Sequence, residues 1–254
     1  MPKLFITDID GTILKKGECT VSGEVREFFS ELAANGVTAA VASGRSYDSI
    51  ERVFGGDIPD TLYVISNDGA LCTLAGRHLF GKPLSQSSCA HFFDEAKRHG
   101  GGFFCAAGKA YIYGGATRFT YAPEFALTGI SVTNVYGISE SVYKIGIDIS
   151  DGKETGMCPS DARCAYDDGI LCEYVSRYAD KGNALEALSQ RLFCHREDIF
   201  ALGDGPNDVS MFKKSKYSAF INKGTGETES FASLTFADCG EAMEYYRNNL
   251  LTKR

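Results

Sequence analysis

The amino-acid sequence predicts an α/β protein in which a parallel sheet is built from both ends of the chain and interrupted by a smaller α+β domain. Short apolar strands alternate with amphipathic helices near both termini, which is typical of parallel sheets with helices on their faces. The middle instead shows short strand-like runs between glycine-rich turns, which indicates an antiparallel sheet. The length of 254 residues exceeds the ~100–150 residues of a usual domain. We therefore expect a core domain from residues 1–82 and 179–254, and an inserted domain from residues 83–178.

The first part of the chain carries the clearest alternation. Apolar runs predict strands, and apolar residues at helical spacing predict helices. The strands are Lys3–Thr7, Val37–Ala42 and Leu62–Ser66, and the helices are Gly23–Asn35 and Tyr47–Phe54. The first helix is the best marked, because Ser22 suits an N-cap and Gly36 suits the C′ position.

The remaining elements follow the same two rules. In the inserted domain we expect a helix at Cys89–His99 and strands at Phe103–Ala106, Tyr111–Tyr113, Tyr143–Ile149 and Leu171–Val175. In the returning core we expect helices at Gly182–Leu192, Asn207–Phe212, Thr225–Phe231 and Glu241–Leu250, and strands at Ile199–Leu202 and Tyr217–Ile221.

The composition of the chain limits the kinds of molecule that it is expected to bind. The formal net charge of −7 argues against non-specific binding to nucleic acid or to an anionic membrane, since such surfaces repel the chain. It leaves room for a small phosphorylated ligand held by one local cation. No run of about 18 apolar residues predicts a transmembrane helix, and the N-terminus lacks the pattern of a signal peptide, so we expect a cytoplasmic protein. The oligomeric state is not indicated.

The nine cysteines include no C-x-x-C pair, and their spacing fits no zinc ribbon or finger. We expect reduced thiols that are mostly buried and act as small apolar residues.

Acidic residues directly follow two predicted core strands. Asp8 and Asp10 follow the first strand, and Asp204 and Asp208 follow the strand Ile199–Leu202. Ligands of open α/β sheets bind beyond the carboxyl ends of the strands, and residues i and i+2 of an extended chain share a face. Each acidic pair alone also fits an ordinary turn. Together they supply the carboxylate oxygens that magnesium binds.

A hydroxyl, a glycine and a lysine stand at the starts of two predicted helices. Ser43 and Gly44 follow the second strand and could offer O–H and N–H groups to phosphate, although Ser43 also fits a helix N-cap. Lys181 opens a helix, where the helix dipole disfavours a cation. This position indicates a local anion partner, and the alternative is a solvated surface lysine. Carboxylates, a hydroxyl and a lysine are together the groups that phosphoryl transfer needs.

The four segments DIDGT, ASGR, DKGNAL and GDGPND resemble the motifs of the haloacid dehalogenase superfamily, in the arrangement of its Cof-type, subfamily IIB, sugar-phosphatase-like hydrolases. The resemblance spans nearly the whole chain. It implies a Rossmann-like parallel-sheet core with an inserted α+β cap domain of the C2B type. The segment Asn67–Ala70 is similar to the N-G-A segment of this family. The stretch Ala219–Gly224 departs from the V-A-M-G-N-A-like segment of the family, and no role is assigned to it.

The resemblance also implies a magnesium-dependent phosphatase that hydrolyses a small phosphomonoester, such as a sugar phosphate, through an aspartyl-phosphate. Asp8 would be the nucleophile, and Asp10 the general acid and then the general base. The implied phosphate ligands are Ser43, Gly44, Lys181 and Asn207, and the implied metal ligands are Asp8, Asp204, Asp208 and the backbone carbonyl of Asp10.

Two alternatives remain beside this interpretation. One is a sugar phosphomutase of the same superfamily, and the other is a non-catalytic protein that binds a phosphorylated ligand. The presence of Asp8, Asp10, Lys181 and Asp204 argues against the second. The cap is expected to cover the site and to contact the rest of the substrate. Its aromatic and basic residues are candidates, although each also fits a core or surface role: Tyr111, Tyr113, Arg118 and Lys144.

Overall fold

The computed structural model describes residues 2–106, 109–114, 129–221 and 227–251. The strands are β1 (Leu4–Thr7), β2 (Thr38–Ala42), β3 (Leu62–Ser66), β4 (Leu71–Leu74), β5 (Arg77–Gly81), β6 (Gly101–Ala106), β7 (Lys109–Gly114), β8 (Gly129–Ser131), β9 (Val142–Asp148), β10 (Ala162–Asp167), β11 (Leu171–Ser176), β12 (Ile199–Gly203), β13 (Tyr217–Ile221) and β14 (Leu234–Phe236). The α-helices are α1 (Gly23–Ala34), α2 (Tyr47–Val53), α3 (Gln86–His99), α4 (Lys181–Arg191), α5 (Val209–Phe212) and α6 (Cys239–Tyr246). The strands form two sheets, which we call the core sheet and the cap sheet.

The core sheet has the strand order β14-β13-β12-β1-β2-β3-β4-β5. The strands from β14 to β3 pair in parallel, and β4 and β5 add antiparallel strands at one edge. The strands β1, β2, β3 and β12 are buried on both faces, as is usual for parallel strands. Along β1, Phe5 points to one face and lies 5.2 Å from the rings of Phe28 in α1 and Tyr246 in α6. Leu4 and Ile6 alternate to the other face and pack against α4 and α5.

The position of β1 explains where a site can form. This strand lies between β12 and β2, and Thr7 at its end pairs in register with Leu202 of β12 and Val41 of β2. Because the strands are parallel, the loops that follow β1, β2 and β12 leave the sheet at the same edge. The strands that follow β1 in the sequence, β2 and β3, lie on one side of it, and the later strands β12, β13 and β14 lie on the other. Such a switch in strand order opens the crevice in which ligands bind.

The cap sheet has the strand order β10-β11-β9-β6-β7-β8. Its strands are antiparallel except for the pair β7–β8. Helix α3 covers one face, where Phe92 and Phe93 pack against Phe104 and Ile145. The helix begins three residues earlier than the sequence predicts, because Ser85 is its N-cap and accepts a hydrogen bond from the Ser88 amide at 3.1 Å.

The predicted α/β core and α+β insert are confirmed, and the differences are local. The hairpin β4–β5 and the strands β8, β10 and β14 were not predicted. The predicted helix Thr225–Phe231 is a 3-10 helix over Glu227–Phe231, and its first residues lie outside the described ranges. The last predicted helix ends as an α-helix at Tyr246 and continues as a π-helical turn to Leu251.

The core sheet lies within residues 4–81 and 199–236, and the cap sheet lies within residues 101–176. The domain boundaries near residues 82 and 179 remain predictions. Among the described residues, no helix has the length and apolar character needed to cross a bilayer.

Candidate active site

Three acidic residues converge at the carboxyl edge of the core sheet. Asp8 follows β1, and Asp204 follows β12 directly. Asp208 ends a 3-10 turn, Pro206–Asp208, in the same loop. One carboxylate oxygen from each of the three residues lies within 4.8 Å of the other two. We call Asp8, Asp204 and Asp208 the acid group. The convergence of distant acids that the strand ends predict is therefore present.

A buried lysine joins two of these acids. The Nζ atom of Lys181 donates to Asp8 Oδ1 and to Asp208 Oδ1, at 2.6 Å each, and only 1% of its side chain is exposed. We call Lys181, Asp8 and Asp208 the Lys181 cluster. Lys181 is the first residue of α4, where Asp180 caps the helix. The two carboxylates are the local anion partners that its unfavourable helix position indicates.

Asp208 uses its other oxygen to hold the loop that carries Asp204. Its Oδ2 atom accepts hydrogen bonds from the amides of Asp204 and Gly205, at 2.9 Å each. The loop approaches so closely that a Cβ atom at Gly203 would lie 2.4 Å from this oxygen. Asp208 thus connects Lys181 to the backbone that positions Asp204.

The turn after β1 closes the other side of the acid group. Thr12 Oγ1 donates to Asp204 Oδ1 at 3.1 Å and lies 3.5 Å from Asp8 Oδ2. Gly11 has a φ of +83°, and a Cβ atom there would lie 2.0 Å from Asp204 Oδ2. A glycine is therefore required both by its backbone conformation and by the approach of the carboxylate.

The electrostatics of the acid group favour a cation. Burial raises the pKa of Asp8 to about 8, Asp208 and Asp204 act in the same direction, and Lys181 opposes them. Burial alone would lower the pKa of Lys181, but Asp8 and Asp208 outweigh it and raise that pKa. Lys181 contacts two of the three carboxylates, and three carboxylates gathered within 4.8 Å suit a divalent cation.

Asp10 lies apart from the acid group and is held by Arg45. The guanidinium Nε and Nη2 atoms donate to Asp10 Oδ2 and Oδ1 at 2.8 and 2.6 Å. Arg45 is itself buried, with 3% of its side chain exposed, and donates to Ser49 Oγ at 3.0 Å. The Asp10 side chain remains 40% exposed, so its carboxylate is fixed and accessible at once. Arg45 directly follows Ser43 and Gly44, but its pairing with Asp10 was not predicted from the sequence.

The other predicted phosphate ligands differ in their exposure. Ser43 is fully buried, and its Oγ accepts a hydrogen bond from the Arg45 amide at 3.1 Å. The carbonyl of Gly44 accepts a hydrogen bond from Lys144 of the cap sheet at 2.7 Å. Asn207 is exposed in the turn before α5.

A family model for haloacid dehalogenase-like hydrolases matches residues 5–239. The chain belongs to this family. It is 23% identical, over 98% of each chain, to the 5-amino-6-(5-phospho-D-ribitylamino)uracil phosphatase YwtE of Bacillus subtilis. It is 24% identical to the HMP-PP phosphatase of Yersinia enterocolitica, over 84% of this chain and 81% of the relative.

The solved structure of BT4131, described as a haloacid dehalogenase subclass IIB sugar phosphatase, is similar in fold. Its TM-score is 0.80 at 14% identity, over 98% of this chain and 99% of that chain. The expectations of this family, of its capped fold and of an enzyme of the phosphatase type are confirmed. The roles of individual residues remain predictions.

In this haloacid dehalogenase-like chain, the loop Asn67–Gly69 supports the segment Ser43–Arg45. Asn67, Asp68 and Gly69 have consecutive positive φ angles of 53°, 55° and 89°. The loop is held by its amides, since Asn67 donates to the Arg45 carbonyl at 2.8 Å and Asp68 donates to the Ser43 carbonyl at 3.1 Å. A Cβ atom at Gly69 would lie 2.2 Å from the Asp180 carbonyl. The similarity to an N-G-A segment marked this loop, but its contact with the Ser43–Arg45 segment was not predicted.

Among the cap candidates, Tyr111 and Tyr113 pack within the cap, where Tyr111 donates to Glu140 and Tyr113 lies 4.8 Å from the Phe93 ring. Arg118 lies outside the described residues. Lys144 alone of the described candidates reaches the core.

Proposed function

We propose that this chain is a magnesium-dependent phosphatase that hydrolyses a small phosphomonoester through an aspartyl-phosphate on Asp8. The observation that carries the proposal is the convergence of Asp8, Asp204 and Asp208 within 4.8 Å of one another, beside a buried Lys181. A nucleophilic carboxylate, a cation site and a fixed ammonium group then lie at one place.

The acid group fits magnesium by its donor chemistry. Carboxylate oxygens suit Mg²⁺, which takes one or two of them from protein and completes its shell with water and substrate phosphate. Asp8 and Asp204 would bind the ion with the backbone carbonyl of Asp10, and Asp208 would bind it directly or orient its water. When bound, the ion would neutralise charge on the transferring phosphoryl group.

Asp8 carries the covalent step. Its carboxylate attacks phosphorus, an oxygen–phosphorus bond forms, and the bond between phosphorus and the leaving oxygen breaks. Lys181 holds Asp8 Oδ1 at 2.6 Å and so fixes the orientation of the carboxylate. Its positive charge opposes the rise in the pKa of Asp8 that burial causes, and so favours the ionised form that the attack requires.

Asp10 handles the protons. It gives a proton to the leaving alkoxide, and then removes one from the water that attacks the aspartyl-phosphate and releases Asp8. Arg45 occupies one lone pair on each oxygen of Asp10, and each oxygen keeps another for proton exchange. The 40% exposure of the side chain leaves it open to substrate.

The phosphate oxygens would be bound by Ser43, the Gly44 amide, Lys181 and Asn207. Ser43 Oγ accepts the Arg45 amide, so its own hydroxyl proton can be donated to a phosphate oxygen. The relatives named above are phosphatases of small phosphorylated metabolites, and BT4131 is a sugar phosphatase. We therefore place the substrate among small phosphomonoesters, with sugar phosphates as the first class to test.

The proposal is tested by a hydrolysis screen over phosphorylated metabolites, run with Mg²⁺ and with a chelator. We expect phosphate release from at least one phosphomonoester in Mg²⁺ and none in the chelator. Asp8→Asn should abolish turnover. Mass spectrometry of the quenched reaction should show a phosphorylated protein for the wild type and none for Asp8→Asn. Asp57→Asn, at an exposed aspartate outside the acid group, is the control. Wild-type turnover by the Asp8→Asn protein would exclude Asp8 as the nucleophile.

A further inference from the structure

A second buried lysine lies where the cap sheet meets the core. Lys144 is in the middle of β9, and 4% of its side chain is exposed. Alternation along β9 places Ile145 and Ile147 on the face covered by α3, so Lys144 points to the opposite face. It is therefore not part of the apolar core of the cap.

Every donor of the Lys144 ammonium group has a partner. Nζ lies 2.7 Å from Asp68 Oδ2, 2.6 Å from Glu173 Oε2 and 2.7 Å from the Gly44 carbonyl oxygen. Glu173 belongs to the cap sheet, whereas Asp68 and Gly44 belong to loops of the core. We call Lys144, Asp68 and Glu173 the Lys144 cluster. Buried ion pairs contribute little net stability compared with apolar residues of similar volume, so the specific consequence of this one is the position that it fixes.

That position is the peptide group between Gly44 and Arg45. Lys144 holds its carbonyl oxygen at 2.7 Å, and Ser43 Oγ accepts its N–H at 3.1 Å. The peptide plane is thus fixed at both ends. Asp68 reinforces the arrangement, because its side chain binds Lys144 and its amide donates to the Ser43 carbonyl at 3.1 Å.

The same peptide group sets where the Arg45 side chain begins, and that side chain holds both oxygens of Asp10. The contacts therefore run without a gap from the cap strand through Lys144, the Gly44–Arg45 peptide and the Arg45 guanidinium to Asp10.

The geometry points to Lys144 as a positioning residue that couples the seating of the cap to the placement of Asp10. This inference rests on the proposed function, in which Asp10 protonates the leaving group. The three donors of Lys144 are taken by Asp68, Glu173 and the Gly44 carbonyl, so it acts through Arg45 and not on the substrate. Its loss should harm the steps that need Asp10 and spare phosphoryl transfer to Asp8 from an ester whose leaving group needs no proton.

Two probe substrates separate these effects. Glucose 6-phosphate leaves as an alkoxide that needs a proton, whereas p-nitrophenyl phosphate leaves as a phenolate that is stable without one. We expect Lys144→Met to lower the single-turnover rate of glucose release from glucose 6-phosphate by about 10–100-fold, part of the contribution of a general acid. For p-nitrophenyl phosphate we expect the single-turnover rate of phenolate release, which precedes hydrolysis of the aspartyl-phosphate, to change by less than about threefold, with KM for both probes nearly constant.

Three further variants keep the result interpretable. Lys144→Arg retains the charge and should recover part of the lost rate of glucose release. The triple variant Asp68→Asn, Lys144→Met, Glu173→Gln removes all charges of the cluster, so no buried carboxylate is left unpaired, and it should show the same selective loss. Lys109→Met breaks an exposed cap pair with Glu140 and should leave both substrates unaffected.

A double-mutant cycle tests the route through Arg45. If Lys144 acts through Arg45, Lys144→Met should add little to the loss in an Arg45→Lys background. Additive losses would overturn the inference. So would equal falls in the single-turnover rate of leaving-group release for both probes, or a rise in KM for glucose 6-phosphate alone, which would indicate direct contact with substrate. If the wild-type protein hydrolyses neither probe nor any ester of the metabolite screen in Mg²⁺, the proposed function fails and this inference fails with it.

Discussion

The Lys181 cluster and the Lys144 cluster use the same groups for different ends. In each, a buried ammonium group binds two carboxylates at 2.6–2.7 Å. The Lys144 ammonium group donates its third hydrogen bond to the Gly44 carbonyl, so each of its three N–H groups has an acceptor. Among the described residues, Lys181 donates to Asp8 and Asp208.

The acids around the two lysines also differ in number. Asp204 joins Asp8 and Asp208 within reach of a single ion, whereas no third acid forms such a group with Asp68 and Glu173 in the described part of the chain. The Lys181 cluster has Asp204 beside it, so three carboxylates can bind one ion, which suits chemistry. The three donors of Lys144 are all taken by Asp68, Glu173 and the Gly44 carbonyl, which suits the fixing of a position. Burial and pairing of a lysine are therefore not enough to mark an active site; the third acid beside Lys181 is what distinguishes the two.

The largest expected difference between the two lysines is in activity toward p-nitrophenyl phosphate. Lys181→Met should lower the single-turnover rate of phenolate release by about 10²–10³-fold, the usual cost of losing one group that stabilises the charge of the transition state. Lys144→Met should keep that rate within about threefold, because this first step needs no proton on its leaving group. Single-turnover kinetics in Mg²⁺ measures both, and circular dichroism checks that each variant is folded. Equal losses would remove the distinction between the two clusters.

Magnesium should distinguish the same two places through stability. An ion that binds only the folded protein adds about 2.7 kcal/mol at a concentration of 100 times its dissociation constant. We expect Mg²⁺ to raise the Tm of the wild-type protein and of Asp68→Asn, and to have little effect on Asp204→Asn. Thermal unfolding with and without Mg²⁺ is the measurement. A magnesium-dependent rise in Tm for Asp204→Asn equal to that of the wild type would place the ion elsewhere.

The free energy of unfolding should also report on the Lys144 cluster. Lys144→Met leaves Asp68 and Glu173 without their ammonium partner, and removing one partner of a buried pair costs about 3–5 kcal/mol. Urea unfolding should show that loss as a lower midpoint. The triple variant that also carries Asp68→Asn and Glu173→Gln should recover most of it. If Lys144→Met keeps the wild-type midpoint, the cluster does not hold the cap and core together.

The difference between the clusters also separates what the sequence could predict from what it could not. Asp8, Asp204 and Lys181 stand at the ends of strands or the start of a helix, so local pattern and the topology of a parallel sheet place them together. Asp68 and Lys144 are joined by the seating of the cap on the core, and no local pattern encodes that contact. Arg45 lies in the segment ASGR, but its pairing with Asp10 depends on how two loops face each other.

The hairpin β4–β5 was missed for a different reason. Its two-residue turn, Ala75–Gly76, has positive φ angles of 48° and 71°. Such turns are usually marked by Asn-Gly or Asp-Gly, and an alanine is disfavoured at positive φ. The turn therefore carries an unusual residue, and the flanking strands gave no other signal of pairing.

The smallest expected effect is a difference in the acid dependence of stability. Burial alone would raise the pKa of Asp68, but Lys144, together with Lys181 and Arg163, outweighs burial and holds that pKa below the ordinary value of 3.8. A carboxylate with a lower pKa in the folded state contributes stability that is fully present above the unfolded value and is lost as pH falls through the folded value. Below about pH 4, the stability of the wild-type protein should therefore fall more steeply than that of Asp68→Asn, and the two should converge. Urea unfolding between neutral pH and about pH 3 measures both slopes, with Asp57→Asn as a control that keeps the wild-type slope. Parallel slopes for the wild type and Asp68→Asn would mean that the Lys144 ammonium does not stabilise the ionised form of Asp68, and the Lys144 cluster would then have no electrostatic hold on the loop beside Ser43.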